Sequence, residues 1–157
     1  MATGFNHLIN KGERVAVALS GGKDSMALFH YALNNADALG IQVIALNVEH
    51  GIRGKESKND SFFVKEYCKK LGVPLLEYAV DCPKIAKEQK LSVEQAARKL
   101  RYECFFDAIE RGKCDKVATA HHQSDNADAI LFNLFRGSGI KGLCGIEQNF
   151  ENKIIRP

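Results

Sequence analysis

The stretch VAVALSGGKDSMALFHYAL, from Val15 to Leu33, constrains the fold more than any other part of the chain. A short Val-rich run, RVAVAL, is followed at once by Ser20 and two glycines, so it reads as a buried strand rather than a helix. The residues after the glycines regain helical spacing from about Ser25 to Ala38. A glycine pair at that junction permits positive φ and close approach of the backbone to a ligand. The first N–H groups of a helix lack internal partners and point outward, and the helix dipole favours negative charge there. SGGKDS therefore reads either as a tight turn with a Ser or Asp cap, or as an anion cradle supplemented by the hydroxyls of Ser20 and Ser25.

The same alternation continues along the chain. IQVIALNV predicts a second buried strand, ESKNDSFFVKEYCKKLG a helix closed by Gly72, and PLLEYAVD a third strand. Ser92 and Gln95 form a capping-box pattern at the head of a helix running to Gly112, in which Val93, Ala97, Leu100, Cys104 and Ala108 recur at helical spacing. DKVATAH predicts a fourth strand, Asp125 to Phe135 another helix, and KIIRP the start of a further strand. Strands alternating with helices of this length imply an α/β fold: a mostly parallel, doubly wound sheet with helices on both faces. Ligands of such sheets sit beyond the carboxyl ends of the strands, where strand order reverses. SGGKDS, NVEHGIRG and AHHQSDN each follow a predicted strand and can share one rim.

Composition narrows the class. With 157 residues, 45% hydrophobic, 26% charged and 3 Pro, the expectation is a single domain over residues 1–157 with a core that needs no disulfide or metal. The excess of 22 Lys+Arg over 19 Asp+Glu is too small to argue for or against RNA. The five cysteines are odd in number and widely spaced, without a C-x-x-C pair or zinc spacing, so they read as reduced thiols. With no leader-like N-terminus and no membrane-length apolar run, a cytoplasmic location without a membrane partner is expected.

Neither G-x-x-x-x-G-K-[ST] nor G-x-G-x-x-G occurs, since Asp24 follows Lys23. Instead, SGGKDS resembles the S-G-G-x-D-S pyrophosphate loop (PP-loop) of the N-type ATP pyrophosphatases, whose fold is adenine nucleotide alpha hydrolase-like. NVEHGIRGKES, SVEQAARKLRYECF, AHHQSDNADAILFNLFRGSGIKGLCGI and IIRP resemble, in order, motifs of the tRNA(Ile)-lysidine synthetase family.

That resemblance implies an ATP-dependent ligase. It adenylylates the C2 oxygen of the wobble cytidine of an isoleucine tRNA with a CAU anticodon, joins free lysine to C2 through its amine, and releases AMP and pyrophosphate. ATP and Mg²⁺ are the implied cofactors. The implied nucleotide-binding residues are Ser20, Gly21, Gly22, Lys23, Asp24, Ser25, Val48, His50 and Arg98, with Asp24 also the metal ligand. Asp24, Arg101, His121 and Asp125 are the implied catalytic residues.

Several of these carry a plainer reading beside the functional one. His50 and Arg53 suit a solvated loop as well as a site. Glu94, Arg98 and Arg101 share one helix face, as an ion-paired stripe or as an oxyanion fork. Asp125 and Asp128 suit a helix start, and the adjacent His121 and His122 are poorly spaced to converge on zinc. The family's H-H-x-D-D-Q-x-E-T is replaced here at Ser124, Asn126, Asp128 and Ala129. Arg136 and Lys141 lie in a glycine-dense stretch suited to phosphate or RNA, and equally to a connecting loop. Family members carry further tRNA-recognition domains beyond the point matching Pro157, so ATP binding without efficient, specific tRNA modification is the expectation for this stretch. A related tRNA thiolase and a non-catalytic ATP-binding module are the alternatives.

Overall fold

The computed structural model describes residues 5–52, 54–120, 149–150 and 153–157. Strand β1 (Arg14–Ala18) leads through the glycine loop into α1 (Lys23–Leu39), followed by β2 (Gln42–Glu49), α2 (Lys55–Leu71) and β3 (Leu75–Ala79). Helices α3 (Cys82–Gln89) and α4 (Val93–Glu110) precede β4 (Lys116–Ala118), and β5 (Asn149–Phe150) and β6 (Ile154–Ile155) follow. Among the described residues these strands form one sheet in the order β3-β2-β1-β4-β6-β5. All neighbours are parallel except β5, which runs antiparallel to β6.

Side-chain alternation along the strands explains the two covered faces. Val15 and Val17 of β1 and Val43 and Ala45 of β2 pack with Phe29 and Ala32 of α1 and Val64 and Cys68 of α2. The intervening residues Ala16, Ile44 and Leu46 pack with Phe105 and Ala108 of α4 on the opposite face. The doubly wound α/β expectation is therefore met.

Local chemistry fixes the helix ends. Gly40 and Gly72 close α1 and α2 in the left-handed conformation, each with φ of 67°. Ser92 Oγ accepts from Gln95 N at 3.1 Å and Gln95 Oε1 accepts from Ser92 N at 3.0 Å, completing the expected capping box.

Some boundaries differ from the sequence reading. Helix α1 begins at Lys23, two residues before the predicted Ser25, because Gly22 takes the N-cap position. The fourth strand is shorter than DKVATAH. Val93, the first residue of α4, is exposed and not a core residue. Helix α3 and strand β5 were not anticipated. The helix predicted over Asp125 to Phe135 lies outside the described residues.

Candidate nucleotide site

Strand order reverses between β1 and β4: the chain winds outward from β1 through β2 to β3, then returns to place β4 on the other side of β1. A cavity of about 590 Å³ opens at the carboxyl ends of these strands, within the roughly 300–1,000 Å³ range of small-molecule sites. Its wall includes Ser20, Gly21, Gly22 and Ser25 after β1, Asn47, Val48 and His50 at the end of β2, and Thr119 after β4. Arg101 and Phe105 reach it from α4, and Asp60 and Ser61 from α2.

The glycine loop is wired by its own hydroxyls. Ser20 N donates to Ser25 Oγ at 3.2 Å, and Ser25 Oγ donates to the Gly22 carbonyl at 3.0 Å. Gly22 N donates to Ser20 Oγ at 3.3 Å, and the two hydroxyl oxygens lie 3.2 Å apart. With the Ser25 proton committed to Gly22, the Ser20 hydroxyl is the donor between them. Loop entry is anchored from β2: Leu19 N donates to the Leu46 carbonyl at 2.8 Å, and the Leu19 carbonyl accepts from buried Asn47 Nδ2 at 2.7 Å.

Gly21 holds φ of +82°, a conformation that strains any residue with a Cβ, and a Cβ there would meet Asp60 at 3.4 Å. Helix bonding begins when Met26 N donates to the Gly22 carbonyl at 3.1 Å. The earlier first-turn N–H groups precede that bond, and Gly22 has no side chain with which to cap them. The result is a positive helix end beside an open cavity, a built receptor for an anion.

On the β2 side, His50 stays neutral. Burial, reinforced by the nearby Arg101 guanidinium and opposed by Glu49, pushes its pKa down to about 4. Its Nδ1 lies 3.5 Å from Cys82 Sγ. Arg101 is thus the cation at this end of the cavity, while the histidine contributes an uncharged ring.

Ser20, Gly21, Gly22, Ser25, Val48, His50 and Arg101, all proposed from sequence, converge on this one cavity. Lys23 and Asp24 open α1 beside it without lining it; Lys23 is exposed and Asp24 half-buried. Arg98 points elsewhere: its guanidinium carbon sits 5.9 Å from the Tyr102 ring centroid, outside the cavity wall. Arg53, His121, Asp125, Arg136 and Lys141 lie outside the described residues. Asn47, Asp60, Phe105 and Thr119 were missed. Only Asn47 carried a local signal, as a polar residue inside the apolar strand IQVIALNV.

No cluster of three or more His, Cys, Asp or Glu able to hold a metal occurs among the described residues. A Mg²⁺ held by one or two carboxylates and substrate phosphates needs no such cage. Asp24 in the first turn of α1 and Asp60 in the cavity wall meet that lesser requirement. Both repel a polyphosphate unless a cation lies between, so the donor set fits a bridging divalent ion.

An α/β sheet with an uncapped glycine loop at its strand-order reversal defines a class of phosphate-binding domain. The PP-loop domain family matches residues 1–157, and this chain belongs to it. The chain is 38% identical over 151 residues to the tRNA(Ile)-lysidine synthase of Clostridium tetani, covering 96% of this chain and 32% of that protein. It is 42% identical over 151 residues to the same-named protein of Porphyromonas gingivalis, with the same coverage. For that of Petrotoga mobilis the identity is 37% over 150 residues, covering 96% of this chain and 48% of the relative. The chain thus spans about a third to a half of the length of these relatives. Among solved structures, the U34-tRNA thiolase NcsA from Methanococcus maripaludis superposes with a TM-score of 0.71 at 24% identity, covering 94% of this chain and 52% of that one. That likeness shows the shared fold.

Proposed function

We propose that this chain is the ATP-pyrophosphatase portion of a tRNA(Ile)-lysidine synthase, working on tRNA in the cytoplasm. The uncapped start of α1, opening behind Gly21 into the cavity, carries the reading. Kinship with proteins named for lysidine synthesis selects the chemistry.

The C2 oxygen of the wobble cytidine in the CAU anticodon attacks the α-phosphorus of ATP, and the α–β bridging oxygen departs with pyrophosphate. The first-turn N–H groups of α1 face the charge that grows on that leaving group. Arg101 supplies a fixed cation across the cavity, and its planar fork suits an α-phosphate oxygen. The amine of free lysine then attacks C2, a proton is lost from nitrogen, and AMP leaves with the former C2 oxygen. Mg²⁺, held through Asp24 with Asp60 as a second carboxylate, supplies charge neutralisation between the phosphates when bound. His121 and Asp125 are assigned to the same reaction through their match to the family motif, and Val48 and His50 border the region offered to the adenosine.

Sulfur transfer draws less support. Among the described residues, Cys68, Cys82, Cys104 and Cys114 are buried free thiols, and burial pushes Cys104 and Cys114 up to about 11, far from the reactive thiolate form; Cys144 lies outside the described residues.

Calorimetric titration with ATP and Mg²⁺ tests the site. Saturable binding by the chain, lost in a folded Gly22→Ala/Asp24→Ala variant, is the expected outcome; equal binding by the two proteins would overturn the assignment of the loop. Lysine- and tRNA-dependent AMP release tests the reaction.

A further inference from the structure

We propose that Cys82 is a positioning residue of this cavity, its thiol holding the His50 imidazole in the tautomer that offers Nε2–H to the bound nucleotide. The inference rests on the reading of the cavity as a nucleotide site. His50 lines the cavity, whereas Cys82 is fully buried behind it and contributes nothing to the wall. Besides the 3.5 Å contact between Sγ and Nδ1, Cys82 N donates to the His50 carbonyl at 3.1 Å. The two residues are thus tied through backbone and side chain at once.

Their surroundings restrict the ring further. Val80 N donates to the Glu49 carbonyl at 2.8 Å, and Gly51 N donates to Glu49 Oε1 at 2.8 Å. Gly51 holds φ of +67°, with the Val80 carbonyl 3.2 Å from where a Cβ would be. The backbone before His50 is therefore bonded to the residue that follows β3, and the residue after it is tied back to the Glu49 side chain.

The direction of the thiol hydrogen bond follows from the chemistry of its partners. Cys82 is the first residue of α3, so no carbonyl of a preceding helical turn is in line to accept its S–H. An imidazole nitrogen is a good acceptor and a thiol sulfur a weak one. S–H donating to Nδ1 leaves the ring proton on Nε2, and the bond at one nitrogen sets the state of the other. A thiolate–imidazolium pair is disfavoured: burial raises the Cys82 thiol, aided by Asp81 and Glu49 and opposed by Arg101, and burial with Arg101 lowers His50, opposed by Glu49. Arg101 thereby brings positive charge to the cavity wall, opposite in sign to Asp60, and His50 brings a neutral, directed donor. Such a donor selects an acceptor atom on the nucleotide without adding to the net charge.

Long-range ¹⁵N–¹H NMR of histidine-labelled chain at neutral pH reads the tautomer directly. The expected state of His50 is an unprotonated Nδ1 and a protonated Nε2, retained in Cys82→Ser, whose hydroxyl also donates, and converted to a tautomer mixture in Cys82→Ala. ATP affinity should weaken about three- to tenfold in Cys82→Ala, the scale of one misdirected hydrogen bond, and stay within about twofold in Cys82→Ser. A proton on Nδ1 of the unaltered chain overturns the proposal, whether or not the variants fold. So does an unchanged tautomer in folded Cys82→Ala, or a changed tautomer with unchanged ATP affinity. An Nε2 proton together with no ATP binding by the unaltered chain overturns instead the nucleotide reading of the cavity, while the Cys82–His50 lock stands.

Discussion

Helices α1 and α4 are nearly equal in length, 17 and 18 residues, and both have serines near the start, yet their first turns are built to opposite ends. At α4 the side chains of Ser92 and Gln95 close on each other's backbone, and the helix start is finished within its own four residues. At α1 the N-cap is glycine, while the hydroxyls of Ser20 and Ser25 are spent holding the loop in shape instead of capping the turn. One start is closed by its own side chains; the other has no side-chain cap and opens beside the cavity. The difference teaches that helix-start chemistry separates stability from function where composition cannot.

The sharpest way to break the comparison is to give α1 a cap. Gly22→Asp supplies an acceptor to the first turn and a negative charge at its mouth, so ATP affinity should fall by about 100-fold or more, roughly 2.7 kcal/mol. Denaturant stability should change by less than about 1 kcal/mol, because Asp improves only modestly on glycine at an N-cap and its Cβ meets Ser20 Oγ at 3.3 Å. Calorimetry and urea melts on one preparation measure both quantities.

The next effect concerns what holds the open loop in place. Asn47→Leu removes the buried donor to the Leu19 carbonyl and should cost about 1–3 kcal/mol of stability in urea unfolding. ATP binding should weaken with it, as the loop loses its anchor on β2.

His50 gives a pH-dependent counterpart. Its folded pKa of about 4 lies below the unfolded value near 6.5, so its contribution is fully present above about pH 6.5 and is lost as pH falls toward 4. Arg101, Glu49 and Cys82 are the groups that set this shift or touch the ring. Since the ring is only partly buried, the loss should be on the order of 1–2 kcal/mol. His50→Asn should remove that share of the difference between urea midpoints at pH 7.5 and 4.5; an unchanged difference would contradict the neutral, buried ring.

Ser92→Ala is the smallest perturbation and the mirror of the first. It should cost about 1 kcal/mol of stability and leave ATP affinity untouched, since α4 begins away from the cavity.

What was legible in the sequence was local. The strand before the glycines, the left-handed closure at Gly72 and the Ser92 box each follow from a few adjacent residues. Helix α3 carried usable signals that hydrophobic spacing obscured: an Asp81 cap accepting from Lys84 N at 3.0 Å and a proline in the first turn. Its eight residues hold too few apolar positions for a visible period. The α4 face was half legible. Helical spacing groups Arg98 with Arg101, but of the two the cavity is lined only by Arg101, and Arg98 settles over Tyr102. Asp60 and Thr119 join the site through sheet order and helix placement, which depend on pairings remote in sequence.

The position of β6 has a consequence in time. It lies between β4 and β5, with Val117 N bonded to the Lys153 carbonyl and Thr119 N to the Ile155 carbonyl. During synthesis, the glycine loop and its β2 anchor emerge early and close through comparatively near neighbours. Thr119 N finds its Ile155 carbonyl partner only once residues 153–155 have been made, after the loop and its anchor are complete. The glycine loop can thus form before the opposite wall is secured, and pairing with β6 decides when Thr119 is held in place.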